Sequence, residues 1–262
     1  MPDEQRSLLT DAEPGRGYAG LCVGIFLSSS LLIWFFNDAL FLWINGANTL
    51  WLDAIFGLLG GLGDGLVVAI VVTALMLWNL RAGVAALVAF LGSGLIAQIL
   101  KHIFNLPRPA AEFADVHILG HPLMSHSFPS GHATSLGVVF FLAMLVFGRH
   151  DWRAWLVGSL MLLAAISRVY GGVHFPVDVW VGFGIGVFCM WGAWIYRLHW
   201  PEQSWESSVW AWNISALILI VLAVILGLGY RIQPSTAEPL ILPVSVLALA
   251  WVALRWRKRF ES

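Results

Sequence analysis

Charge is scarce in this chain. Lys, Arg, Asp and Glu make up 11% of its 262 residues, against 59% hydrophobic residues and a mean hydropathy of +0.81. Too little polar surface remains to cover a soluble globule, so the composition excludes one and gives a polytopic membrane protein. A basic excess is missing as well. The net charge of −1 and pI of about 6.7 exclude the electrostatic footprint of a nucleic-acid binder. Only two cysteines occur, Cys22 and Cys189, both inside apolar runs, so neither a disulfide framework nor a cysteine metal site is expected. Tryptophan, by contrast, is abundant at 15 residues. Trp concentrates at membrane interfaces, and Trp43, Trp51 and Trp210 are expected as interface anchors.

The apolar runs give the organisation. Met1 to Arg16 is polar and reads as a short cytoplasmic tail. Gly17 to Phe36 is longer than a signal-peptide core and no small-residue cleavage site follows it, so a retained helix is expected. Between Asp38 and Asp53 the residues Asp38, Asn45, Asn48, Thr49 and Asp53 fall close to one face of a helix, a pattern that predicts a segment lying along the interface. Asp64, in the glycine-rich turn that follows, is placed to cap the next helix. Gly65 to Leu80 and Val84 to Leu100 form a predicted antiparallel hairpin linked by Arg81, Ala82 and Gly83. Further spans are expected over 133–147, 154–166 (with flanking residues added), 179–196, 209–228 and 240–254, with a polar linker over 198–208. The total is eight spans and one interfacial helix, with no separate soluble domain and no internal repeat.

Orientation follows from the cations. If the N-terminus is cytoplasmic, alternation of the spans places Arg6, Arg16, Arg81, Arg149, Arg153, Arg197, Arg255, Arg257, Lys258 and Arg259 inside. Only Lys101, Arg108, Arg168 and Arg231 fall outside, as the positive-inside rule requires. Three of those four lie in the polar stretches that follow, all on the non-cytoplasmic side.

Those stretches are KHIFNLPRP from Lys101, PSGH from Pro129 and SRVYGGVHFPVD from Ser167. Ionisable residues at membrane depth are costly enough to mark function. The connection 102–129 is also longer than structureless loops usually are. Lys101, Arg108 and Arg168 make a cation cluster suited to an anion, and the geometry favours phosphate. Ser130 and Gly131 open a helix, where backbone N–H groups and the helix dipole receive a phosphoryl oxygen. The two arginines add bidentate hydrogen bonds and Lys101 a point charge. His174 stands four residues before Asp178, close enough for the carboxylate to orient the ring as a nucleophile. His132 is then placed to protonate the leaving oxygen and afterwards to activate water. Taken singly, PSGH also suits an N-cap with a tight turn, and His174 with Asp178 a polar staple. Together, so many cations beside two histidines point to chemistry. His102, His117, His121 and His126 lack paired acidic or cysteine ligands and are expected as solvated loop histidines. Tyr170, Gly171 and Gly172 are expected to form a turn that lets backbone approach the phosphate.

KxxxxxxRP at Lys101 to Pro109, PSGH at Pro129 to His132 and SRxxxxxHxxxD at Ser167 to Asp178 resemble, without gap or substitution, the three signatures of the type 2 phosphatidic acid phosphatase superfamily. The likeness covers roughly residues 39–196. It implies an all-α transmembrane bundle with a six-helix phosphatase core over 17–197. One interfacial helix joins that core, and two extra C-terminal helices over 209–262 depart from the common pattern. It implies a metal-independent hydrolase with no cofactor, acting through a phosphohistidine on His174, with Asp178 in support and His132 as acid and base. Lys101, Arg108, Ser130, Gly131, His132 and Arg168 would bind the phosphate. The substrate would be a membrane lipid phosphate: undecaprenyl pyrophosphate, phosphatidylglycerol phosphate, phosphatidic acid or the 1-phosphate of lipid A. The setting would be a bacterial inner membrane, with the site facing the periplasm. A phosphotransferase using the same intermediate is the rival enzyme. A lipid or phosphate transporter with a midplane anion site is the rival of another class, but a nucleophile with its orienting acid has no use in transport. No residue pattern specifies an oligomeric state.

Overall fold

A computed structural model describes residues 19–198 and 208–260, and among these there are helices and turns but no strand. In chain order the helices are α1 (Ala19–Phe35), α2 (Asn37–Gly46), α3 (Leu50–Gly61), α4 (Gly65–Trp78), α5 (Leu80–Phe104), the short α6 (Pro109–Glu112), α7 (Gly131–Phe147), α8 (Trp152–Tyr170), α9 (Pro176–Leu198) and α10 (Val209–Leu228). A 3-10 turn, Ser235–Leu240, then leads into α11 (Ile241–Phe260). Five stretches are long and apolar enough to cross a membrane singly, and the bent pairs α1–α2 and α3–α4 raise this to seven. With the 17-residue apolar α7, every expected run is helical. The expected N-terminal tail and most of the expected linker lie outside the described residues.

Helix ends follow side-chain caps where the sequence supplies them. Asp64 accepts the Leu66 N–H at 2.8 Å and starts α4 as expected. Three boundaries differ from the sequence reading. The stretch 38–53 is not one helix, because Thr49 is extended and caps α3 by accepting from Leu52 N. Of its polar residues, Asn45 and Asp53 face inward onto other segments. α2 nevertheless turns 73° away from α1, in keeping with a segment that crosses the bundle end. The hairpin turn is a single residue, Asn79, whose side chain accepts from Ala82 N, so Arg81, Ala82 and Gly83 belong to α5. Finally, Ser167 to Tyr170 form the last turn of α8 and Pro176 to Asp178 the first turn of α9, leaving only residues 171–175 as loop. The helix continues through Ser167 and Arg168 because both side chains are buried, so neither meets the lipid that the apolar run implied.

The core consists of α4, α5, α7 and α9, joined through Val68, Ala86, Val138, Leu142, Met190 and Trp194. A second cluster, including Phe41, Leu136, Ala164, Phe175 and Phe183, ties α2 and α8 to α7 and α9. Helices α7 and α9 touch backbone to backbone. A Cβ on Gly137 would stand 2.1 Å from Phe183 O, and one on Gly186 2.0 Å from Thr134 O. Such small-residue contacts are how helices associate where lipid removes the hydrophobic drive. Here they fix the N-terminus of α7, with PSGH, beside the N-terminus of α9, with Asp178.

Candidate active site

The polar stretches meet at one end of the bundle, where α5 and α8 finish and α7 and α9 begin. Lys101, Arg108, Arg168, His174 and Asp178 are each 8% exposed or less. Gathering three cations there without equal acidic charge costs several kcal/mol unless an anion offsets it.

The loop 171–175 holds the first histidine. His174 N–H donates to Arg168 C=O at 3.2 Å, and its ring is enclosed. Nε2 lies 3.4 Å from Arg108 Nη1, and Nδ1 lies 3.6 Å from Asp178 Oδ2. The second distance is ion-pair range but too long for a hydrogen bond, which corrects the bonded pair read from the four-residue spacing. Asp178 Oδ2 is already occupied: it accepts from Ser127 Oγ and from Phe175 N at 2.9 Å. No pattern in the sequence marks Ser127, which anchors the carboxylate from 51 residues away. Burial first, and then the charges of Arg108, Lys101 and Arg168, hold His174 well below its ordinary value of 6.5. The ring is therefore neutral at neutral pH with an available lone pair.

The shift carries a stability consequence. Below pH 6.5 the unfolded chain protonates this histidine and the folded one does not, so stability falls as pH drops from 6.5 and is flat above it. Melting temperatures of the wild type and His174→Gln in detergent, taken from about pH 8 to about pH 5, should separate below 6.5, with the wild type losing more. A pH-independent difference would contradict the neutral ring.

The cations are anchored unequally. Lys101 Nζ donates to the carbonyl of His126 at 2.7 Å. Arg108 donates through Nε to Ser125 O, through Nη1 to Val173 O and through Nη2 to His126 O. Much of its fork therefore ties the 102–129 loop to the His174 loop, leaving less for a ligand than its bidentate reading implied. Arg168 Nε, in contrast, is buried with no hydrogen-bond partner, and so is Nε2 of the half-buried His132. Ser130 caps α7, its side chain accepting from Ala133 N. Its own N–H donates to the main-chain carbonyl of Asp178 at 2.9 Å, so it is committed to the α7–α9 junction and is not offered to a phosphate. Gly131 and His132 remain as first-turn amides of α7, and a Cβ on Gly131 would meet nothing within 4 Å.

A separate polar clasp lies behind this cluster. Asn45 donates to the carbonyls of His117 and Tyr170 and accepts from His117 N. Asp53 Oδ1 receives the Tyr170 hydroxyl and lies 2.8 Å from His117 Nε2. His117 is thus no solvated loop residue. The Tyr170 ring stacks on Phe56 with centroids 4.5 Å apart, and Gly172, at φ +69°, lets the chain pass where a Cβ would stand 2.3 Å from His117 O. That turn serves loop packing in place of the phosphate approach expected of it. His117→Ala should lower stability by about 1 kcal/mol while changing turnover only a few-fold, as read by thermal melts beside a phosphate-release assay. His102 and His121 are exposed, and His126 bonds Ser125 Oγ.

An apolar groove of about 510 Å³ opens beside the cluster, lined by Leu27, Leu31, Trp34, Phe104, Phe128 and Phe175, and it reaches Asp178. Hydrocarbon suits most of its walls, which also carry Asn37 and Glu112, and it runs from Asp178 to a side facing α1.

Comparison with known proteins gives a consistent picture. The profile of the PAP2 superfamily matches residues 82–204. The chain is 33% identical over 152 residues to YbjG of Escherichia coli, covering 53% of this chain and 74% of that protein. It is 31% identical over 157 residues to the undecaprenyl-diphosphatase of Sulfolobus acidocaldarius, covering 58% and 73%. The crystal structure of Aquifex aeolicus LpxE superposes with a TM-score of 0.56 at 32% identity, covering 63% of this chain and 95% of that one.

Proposed function

Because this chain belongs to the PAP2 superfamily, we propose that it is a membrane lipid phosphatase that hydrolyses a lipid phosphate or diphosphate through a phosphohistidine on His174. The observation that carries this reading is a buried imidazole held between a guanidinium and a carboxylate, 3.4 and 3.6 Å away. A nucleophile lies on one side of the ring and its orienting charge on the other. Nε2 attacks phosphorus and the bond to the lipid oxygen breaks, while His132 gives that oxygen its proton. Water then attacks phosphorus, losing a proton to His132, and the N–P bond breaks to release phosphate. Lys101, Arg108, Arg168 and the first amides of α7 neutralise the charge on the transferring group.

The groove beside Asp178 supports a lipid as the carrier of that phosphate, since its apolar walls match a hydrocarbon tail at the point where the headgroup would reach His174. An isoprenoid diphosphate is the first substrate to test, because a matched relative is an undecaprenyl-diphosphatase. Phosphatidylglycerol phosphate, phosphatidic acid and the 1-phosphate of lipid A follow. The distribution of Lys and Arg supports a bacterial inner membrane with the site on the periplasmic face. The test is phosphate release by the purified protein from each lipid, with EDTA present and no acceptor lipid. Release from one of them supports the hydrolase. Transfer that requires an added acceptor lipid would make the protein a phosphotransferase instead.

A further inference from the structure

The helices α10 and α11 lie beyond the stretch that resembles the family core, yet their connection reaches the active-site end. Residues 229–240 press on the α3–α4 turn: a Cβ on Gly61 would stand 2.6 Å from Ala237 Cβ, and Gly60 faces Pro234. At that same Gly60 position the turn also meets the cation cluster. A Cβ on Gly60 would stand 3.4 Å from Arg168 Nη1 and 3.1 Å from Ser167 Oγ, and one on Gly63 3.1 Å from His132 Cβ. Gly60 thus brings the C-terminal connection and Arg168 to one point, Gly61 seats Ala237 beside it, and Gly63 carries the same turn to His132.

One hydrogen bond spans the junction. The Tyr230 hydroxyl donates to Asp64 Oδ2 at 3.0 Å, while Asp64 Oδ1 accepts from Leu66 N at 2.8 Å. Asp64 is 6% exposed and lies on the same turn whose Gly60 meets Arg168 Nη1. We infer that the C-terminal helix pair is part of the phosphate site, with Tyr230 and Asp64 as positioning residues that keep Arg168 available to a phosphate anion. The inference rests on the proposed function and adds to it a role for the segment that departs from the six-helix pattern.

The argument is one of competition for a buried donor. Arg168 Nε has no hydrogen-bond partner, and the turn that carries the Asp64 carboxylate meets the same side chain at Gly60. Two donors, Tyr230 and Leu66, occupy the two oxygens of that carboxylate and so weaken its pull. Burial, and then Asp64 itself, push the Tyr230 hydroxyl up to about 12, so it keeps its proton and remains a donor across the working range. Without the hydroxyl, Asp64 Oδ2 is free to draw the guanidinium away from the ligand.

The test is the inhibition constant of inorganic phosphate against lipid hydrolysis by the full-length protein. Tyr230→Phe should raise it about three- to tenfold, with KM rising in parallel and kcat changing less. In an Asp64→Asn background, where no charge competes, Tyr230→Phe should add nothing further. Trp251→Phe removes a different anchor of the same helix pair, the indole bond to Ala74 O at 2.9 Å, and should leave the constant unchanged. If Tyr230→Phe is not recovered folded, Gly60→Ala, whose methyl group crowds Arg168, should raise the same constant. An unshifted constant in Tyr230→Phe, an equal shift in Trp251→Phe, or a full shift persisting in the Asp64→Asn background would overturn the inference while leaving the hydrolase standing. A wild-type protein that neither turns over lipid nor responds to phosphate would overturn both.

Discussion

Replacing His174 with alanine should lower lipid dephosphorylation by about 10,000-fold or more, the scale on which removal of a covalent nucleophile acts. In the proposed mechanism the ring supplies the attacking Nε2, whose one side-chain contact is the 3.4 Å approach of Arg108 Nη1, and its Nδ1 has no hydrogen-bond partner, so its loss removes the nucleophile and a single long hydrogen bond. The variant should therefore stay folded and still bind phosphate through Lys101, Arg108 and Arg168. Phosphate release by wild type and variant, beside a melting curve for each, checks both halves. A comparable loss on replacing His102, His121 or His126 would show that the chemistry is elsewhere.

The second large effect is at Asp178. Its carboxylate takes the hydroxyl of Ser127 and the amide of Phe175, its main-chain carbonyl takes the amide of Ser130, and its charge faces His174 Nδ1 at 3.6 Å. One residue therefore fixes the His174 loop, the start of α7 and the orientation of the imidazole. Asp178→Asn preserves shape but removes the charge that stabilises the developing imidazolium, and an expected loss in kcat of about 100- to 10,000-fold follows. Ser127→Ala, which removes one of the two donors to Asp178 Oδ2 and leaves the charge, should cost about tenfold. A kcat in Asp178→Asn within a few-fold of wild type would mean that the carboxylate only staples the loops.

How much of this was legible in the sequence depends on the range of the interaction. The apolar runs, the Asp64 and Ser130 caps and the gathering of Lys101, Arg108 and Arg168 rest on local spacing or on charge in hydrocarbon, and both are visible along the chain. The sequence reading ends one span at 166 and starts the next at 179 because the charges of Ser167–Asp178 interrupt an apolar run, whereas burial of Arg168 inside the bundle lets α8 continue to Tyr170. Ser127 with Asp178, Asn45 and Asp53 with Tyr170 and His117, and Tyr230 with Asp64 join residues 51 to 166 positions apart. No period or motif announces such pairs, since tertiary contact alone makes them. The same holds for the committed amide of Ser130: a helix start announces free N–H groups, but only the approach of α9 shows which of them is taken.

The central claim is that phosphate passes through His174. The most direct measurement is rapid quenching of the purified protein with a lipid diphosphate labelled in its terminal phosphoryl group, followed by mapping of the labelled peptide. The account predicts acid-labile label on the peptide carrying His174, forming no slower than phosphate is released and absent from His174→Ala. Label on another residue, or phosphate release at the wild-type rate from His174→Ala, would contradict it.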